Sequence, residues 1–116
     1  MPALHHLALR TRDVQLLAQH YESVCKLPRL EVRDNGSVWL AAAGVVLMLE
    51  ASDPDEATVR PGTKELLAFQ LGSGESLGQA LARLEEHGVA LEARTDFTLY
   101  FRDPDGRRNA LSAYAF

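Results

Sequence analysis

The residues able to do chemistry in this chain fall on one side of its strand-like segments. Successive side chains of an extended strand point to opposite faces. In His6-Leu7-Ala8-Leu9-Arg10, Leu7 and Leu9 form one face and His6, Ala8 and Arg10 the other. In the run from Leu66 to Leu71, Leu67, Phe69 and Leu71 oppose Leu66, Ala68 and Gln70. Between Val45 and Glu50, Leu47 and Leu49 oppose Val46, Met48 and Glu50. Near the end of the chain, Leu111 and Ala113 oppose Ala110, Ser112 and Tyr114. The wholly apolar faces must pack under helices. The others mix apolar surface with a few hydrogen-bonding groups, as the wall of a ligand cavity does. A solvated sheet face or a dimer interface is the competing reading of the same pattern. Trp39, Tyr100 and Met48 can add an aromatic and thioether wall for a flat ligand, or serve ordinary packing.

Each polar residue has a chemical and a plain reading. His6, as an imidazole, suits acid–base work, or it makes a single hydrogen bond in the pocket. Arg10 and Glu50 can orient a polar substrate, or pair with each other, because a buried charge must be paired. Ser112 with His6 does not make a hydrolytic pair, since no nucleophile-elbow pattern such as G-x-S-x-G is present. Gly72-Ser73-Gly74 lacks the lysine of a phosphate-binding loop and reads as a tight turn. Arg107 and Arg108 read as solvated charges, and His20 and His87, near helix ends, as surface residues. Cys25 reads as a small packed residue.

Elements must hold these faces in place. His6 to Arg10 reads as a strand, with Thr11 and Asp13 supplying N-cap chemistry for a helix. Val14, Leu17, Ala18, Tyr21 and Val24 then form one apolar stripe. Pro28 stops the helix. Leu30 and Val32, alternating with Glu31 and Arg33, predict a half-buried strand. Asp34-Asn35-Gly36 is a hairpin turn, Ser37 to Ala43 a strand, Gly44 a break, and Val45 to Glu50 another strand. Loop chemistry fills 51–64. Beyond it come a strand from Leu66, the glycine turn, a helix marked by Leu77, Leu81 and Leu84, and Gly88 at a left-handed C-cap. Val89 to Ala93, Phe97 to Arg102 and Asn109 to Phe116 predict three more strands, the last two joined by the turn Asp103-Pro104-Asp105-Gly106. The order repeats: strand, helix, three strands, twice. The prediction is an α+β fold of two βαβββ modules, about 4–50 and 65–116, joined by a linker over 51–64 within one domain, 1–116.

Composition narrows the function. The chain has 116 residues, 47% hydrophobic and 24% charged, as soluble globular domains do. Twelve Lys and Arg stand against sixteen Asp and Glu, a net charge of −4. With no basic block, neither nucleic acid nor an anionic membrane is an expected partner. One cysteine excludes an internal disulfide and a cysteine-rich zinc site. The longest apolar stretch, Val38 to Leu49, is too short to span a bilayer. A cytoplasmic location is expected.

The assembled residues resemble the vicinal oxygen chelate superfamily, which includes glyoxalase I, extradiol dioxygenases, methylmalonyl-CoA epimerase and bleomycin-resistance proteins. His5-His6-Leu7-Ala8-Leu9-Arg10, with Asp13 and Tyr21, is similar to the family's opening strand and helix. Cys25-Lys26-Leu27-Pro28 sits where members often have a Leu-Gly-Leu/Phe segment. Phe101-Arg102-Asp103-Pro104-Asp105-Gly106 is similar to the family's Phe-x-Asp-Pro-Asp-Gly turn. The resemblance implies an incomplete mixed β-barrel around a cavity, helices outside, and a homodimer. It also implies, in most enzymatic members, a divalent metal held by one residue from each of four strands. Those positions fall on His6, Met48, Leu66 and Ala110. Leucine and alanine have no lone pair to offer, and methionine is too soft for Mg, Mn or Fe(II). A two-residue slip brings Glu50 beside His6, still short of the three protein ligands of a catalytic zinc site.

The function this implies is binding of a small amphipathic or aromatic molecule in the cavity, without a catalytic metal. The expected lining is His6, Arg10, Trp39, Met48, Glu50, Leu66, Gln70, Tyr100, Ala110, Ser112 and Tyr114. The alternative is a lyase, isomerase or dioxygenase using His6 and Glu50 with Zn, Ni, Mn or Fe.

Overall fold

A computed structural model describes residues 1–116. The chain divides into two compact units, Met1–Thr58 and Val59–Phe116. In the first, β1 (His6–Thr11) leads into α1 (Val14–Ser23), followed by β2 (Arg29–Val32), β3 (Val38–Ala42) and β4 (Val45–Ala51). In the second, β5 (Leu66–Gln70) leads into α2 (Leu77–Glu86), followed by β6 (Ala93–Arg94), β7 (Thr98–Arg102) and β8 (Arg108–Ser112). Each unit is a βαβββ module with one four-stranded mixed sheet, ordered β1-β4-β3-β2 in one and β5-β8-β7-β6 in the other. The first strand pairs parallel with the last in both, and the other pairings are antiparallel. The parallel pairs require crossovers, which α1 and α2 begin.

Helix starts follow their caps. The Asp13 carboxylate accepts from the Leu16 N–H at 3.0 Å. Ser76 and Gln79 form a reciprocal capping box at the start of α2. α1 lays Leu17, Ala18 and Tyr21, all buried, on β3 and β4, whose inward residues Val38, Leu40, Leu47 and Leu49 are also buried. α2 lays Ala80 and Leu84 on a face that includes Leu99, Phe101 and Leu111. Of these inward residues, Leu47, Leu49 and Leu111 lie on the faces that strand alternation marks as apolar.

Several expectations change. β2 is exposed at every residue, because it is the sheet edge and α1 covers only β3 and β4. The strand expected over Val89 to Ala93 shrinks to Ala93–Arg94. The last strand ends at Ser112 rather than running to Phe116, so Tyr114 lies beyond the sheet. There it is 51% exposed and stacks edge-on against Phe97 and Phe116. His20 is buried, its ring edge-on to Tyr21, because the α1 face that meets the sheet extends to the helix's last turn. No helix is long and apolar enough to cross a membrane.

The turn Asp103-Pro104-Asp105-Gly106 closes with the Gly106 N–H donating to the Asp103 carbonyl at 2.9 Å. The Asp103 side chain is fully buried and accepts from the N–H groups of Asp105 and Arg107 and from the Arg107 guanidinium. Arg107 also pairs with Asp105. It is therefore a half-buried brace of the turn rather than the solvated charge expected.

Candidate functional site: the helix-free sheet faces

The face of each sheet turned away from its helix carries the candidate site, and the strand register arranges it in rows. In the first sheet one row is Ala8, Met48 and Trp39, cross-strand partners in sequence. On one side of it lies the row His6, Val46 and Ala41, and on the other Arg10 opposite Glu50. In the second sheet the corresponding rows are Ala68, Ala110 and Tyr100; Leu66, Arg108 and Arg102; and Gln70, Ser112 and Thr98. Trp39 and Tyr100 thus hold equivalent places. So do Met48 and Ala110, and His6 and Leu66. The four positions at which the family resemblance places metal ligands are two pairs of equivalent positions, all on helix-free faces.

Both aromatic rings are capped by arginine. The Arg33 guanidinium lies 4.7 Å from the Trp39 ring centre and the Arg108 guanidinium 4.3 Å from that of Tyr100. Such stacking is attractive because the cation meets the negative face of the ring. Arg33 also pairs with Glu31 at 2.9 Å. Neither arginine was expected at the site. Arg108 was read as solvated, but its β8 register puts it on the helix-free face, where its side chain is 19% exposed.

The expected residues meet varied surroundings. Arg10 and Glu50 approach at 3.6 Å, but Arg10 makes its hydrogen bonds to Glu56, whose two carboxylate oxygens accept at 3.0 to 3.2 Å. Hydrogen bonding to Glu56 raises the Arg10 pKa, and the same bond is the main reason the Glu56 pKa lies below the usual carboxylate value. Gln70 is exposed, and the Ser112 hydroxyl contacts that of Thr98 at 2.7 Å. Ala110 is fully buried. Leu66 is 44% exposed. Trp39, Met48 and Tyr100 are half-buried.

Among the metal positions, His6 is the sole nitrogen or oxygen donor. Its Nδ1 lies 2.8 Å from that of His5. Glu50 does not come beside it: His6 pairs with Val46, and Glu50 is four residues further along β4, about 13 Å at the usual strand rise. No three His, Cys, Asp or Glu side chains come together in a way that could hold a metal ion. With a thioether and two hydrocarbon side chains at the other positions, the donor set does not fit a catalytic divalent metal.

Sequence reasoning also missed Glu92. It precedes β6 and accepts from Arg102 at 2.8 Å and from Arg108 at 2.9 Å. These bonds, to Arg102 first and then to Arg108, hold its carboxyl below the usual range. The pairing Arg102↔Arg108 was not legible, because the last strand was expected to start at Asn109, one residue after Arg108. Glu92 was expected inside a strand over Val89 to Ala93, and strand pattern alone gave no sign of its two arginine partners.

Comparison with known families and folds agrees with this architecture. The family described as Glyoxalase/Bleomycin resistance protein/Dioxygenase superfamily matches residues 3–111. No curated protein matches the chain. Among solved structures, genomically encoded fosfomycin resistance protein FosX from Listeria monocytogenes, in its monoclinic form at pH 5.75, superposes with a TM-score of 0.81 at 18% identity, covering 99% of this chain and 94% of that one. A FosX mutant complexed with Mn(II) and 1S,2S-dihydroxypropylphosphonic acid gives 0.78 at 19% identity, covering 100% and 93%. An integron cassette protein from the mobile metagenome of V. cholerae gives 0.76 at 24% identity, covering 99% and 97%.

Proposed function

Because this chain belongs to the Glyoxalase/Bleomycin resistance protein/Dioxygenase superfamily, and its metal positions carry His6, Met48, Leu66 and Ala110, we propose that it binds a small amphipathic or aromatic molecule on its helix-free sheet faces without a catalytic metal. The observation that carries this reading is the donor set. Two hydrocarbon side chains and a thioether occupy three of the four positions, so these positions offer little grip for a hard cation while leaving apolar surface for an organic ligand. On the first sheet Trp39 and Met48 supply an aromatic and thioether wall, and on the second Tyr100 supplies an aromatic one. The first sheet's polar edge is the Arg10–Glu50 pair and the second's is Gln70. The homodimer that the family resemblance implies is part of the proposal. The placement of Glu50 beside Arg10 speaks against the metal-dependent alternative built on His6 and Glu50.

The test has two arms. Elemental analysis of the purified, dialysed protein is expected to find Zn, Ni, Mn and Fe far below one per chain. A stoichiometric metal that disappears in His6→Ala overturns the reading. A thermal-shift screen with small acids, amines and neutral aromatic compounds is expected to raise the unfolding temperature with a subset, since a ligand specific for the native state stabilises it. No stabilising compound at millimolar concentration counts against binding.

A further inference from the structure

Arg108 stands across the strand pair from Leu66, one of the positions at which the family resemblance places a metal ligand. Its neighbour on the other side is Arg102, so two guanidinium groups lie side by side on the helix-free face of the second sheet. One carboxylate, Glu92, serves both, leaving the trio with one surplus positive charge. The two arginines are not equally engaged. Arg102 is consumed: its Nε donates to Glu92, and its Nη1 donates to the carbonyls of Thr63 at 2.6 Å and Gly106 at 3.1 Å. Arg108 donates to the protein through Nε alone, to Glu92. Its two terminal nitrogens have no protein partner, and neither is buried. Stacking on Tyr100 and the bond to Glu92 hold the group in one orientation. Next to it on the same face, Leu66 and Ala68 are exposed and apolar, and Gln70 is exposed at the far end of β5.

We propose that Arg108 is the specificity residue of the ligand face and that the ligand is a small organic monoanion. Its carboxylate is gripped by the free edge of Arg108, and its apolar body lies along Leu66 and Ala68. The guanidinium edge matches the two oxygens of a carboxylate. One surplus charge matches one anionic group, and the hydrocarbon flank favours an organic acid over free inorganic phosphate. A fixed guanidinium thus provides the positive charge that the absent metal ligands cannot recruit. This inference rests on the ligand-binding reading above and names the ligand class for it.

The test uses matched pairs on the full-length protein: hexanoate with hexanamide, benzoate with benzamide, and 4-hydroxycinnamate with its amide, followed by isothermal titration. In the wild-type protein the acid of at least one pair is expected to bind about tenfold more tightly than its amide, the scale of a charge-assisted hydrogen bond. In Arg108→Gln that preference disappears, because the acid loses much more affinity than the amide does. In Arg108→Lys, which keeps the charge and loses the planar fork, part of it survives. Equal affinities for acid and amide in the wild-type protein overturn the proposal without needing any variant. So does a screen whose stabilising compounds are all neutral or cationic, or inorganic phosphate binding as tightly as the best acid. Each of these leaves the ligand-binding reading standing. A screen with no stabilising compound of any charge overturns both.

Discussion

The N–H of Leu27 donates to the carbonyl of Tyr21 at 3.0 Å, folding the chain back under the end of α1 before it enters β2. The turn between them places Lys26 at φ +59°, in the left-handed region. This is the position where family members often carry glycine. A side chain there costs about 1–2 kcal/mol by the steric clash of its Cβ. Glycine removes that clash but adds backbone entropy to the unfolded chain. Lys26→Gly is therefore expected to stabilise the protein by up to about 1 kcal/mol, read as a higher denaturation midpoint at unchanged slope.

The buried Asp103 carboxylate holds two backbone N–H groups and the Arg107 guanidinium. Asp103→Ala leaves all three donors without that acceptor in the β7–β8 turn. The expected cost is about 2–3 kcal/mol, the scale for stranded partners of a charged hydrogen bond. Chemical denaturation checks it. A loss below about 0.5 kcal/mol, the level of an ordinary surface substitution, contradicts this account of the turn.

Glu56 ties the segment after β4 to Arg10, and its folded pKa lies below the 4.5 it takes when unfolded. A carboxyl with a depressed folded pKa binds fewer protons in the native state than in the unfolded one. Its contribution is fully present above pH 4.5 and is lost as pH falls through the folded value. Glu92 acts in the same direction through Arg102 and Arg108. Stability is expected to fall as the pH drops below 4.5, and Glu56→Gln to shallow that decline while lowering stability at pH 7. Both carboxylates are solvent-facing, so added salt reduces the effect. An identical acid decline in wild type and Glu56→Gln contradicts it.

Local signals carried much of the fold. Asp13 and Ser76 mark helix starts, Gly36 and Gly88 adopt the positive φ that their turns require, and alternation sorts Leu47 and Leu49 from Met48 and Glu50. Where elements failed, the cause was non-local. The pattern of Leu30 and Val32 resembles a half-buried strand, yet nothing covers that sheet edge. The run after Val89 has strand-forming residues, but only Ala93 and Arg94 find a partner on β7.

The candidate site divides the same way. Residue type and strand parity alone place His6, Met48, Leu66 and Ala110 on helix-free faces, because a period of two is a property of the backbone. They also determine what chemistry those positions lack. What the chain order could not convey is which charges meet. Glu56 reaches back to Arg10 across 46 positions, and Glu92 gathers Arg102 and Arg108 from two strands. Long flexible side chains choose partners by distance in the folded sheet, not by separation in sequence, so only the tertiary structure decided that Arg108 keeps a free edge beside Leu66.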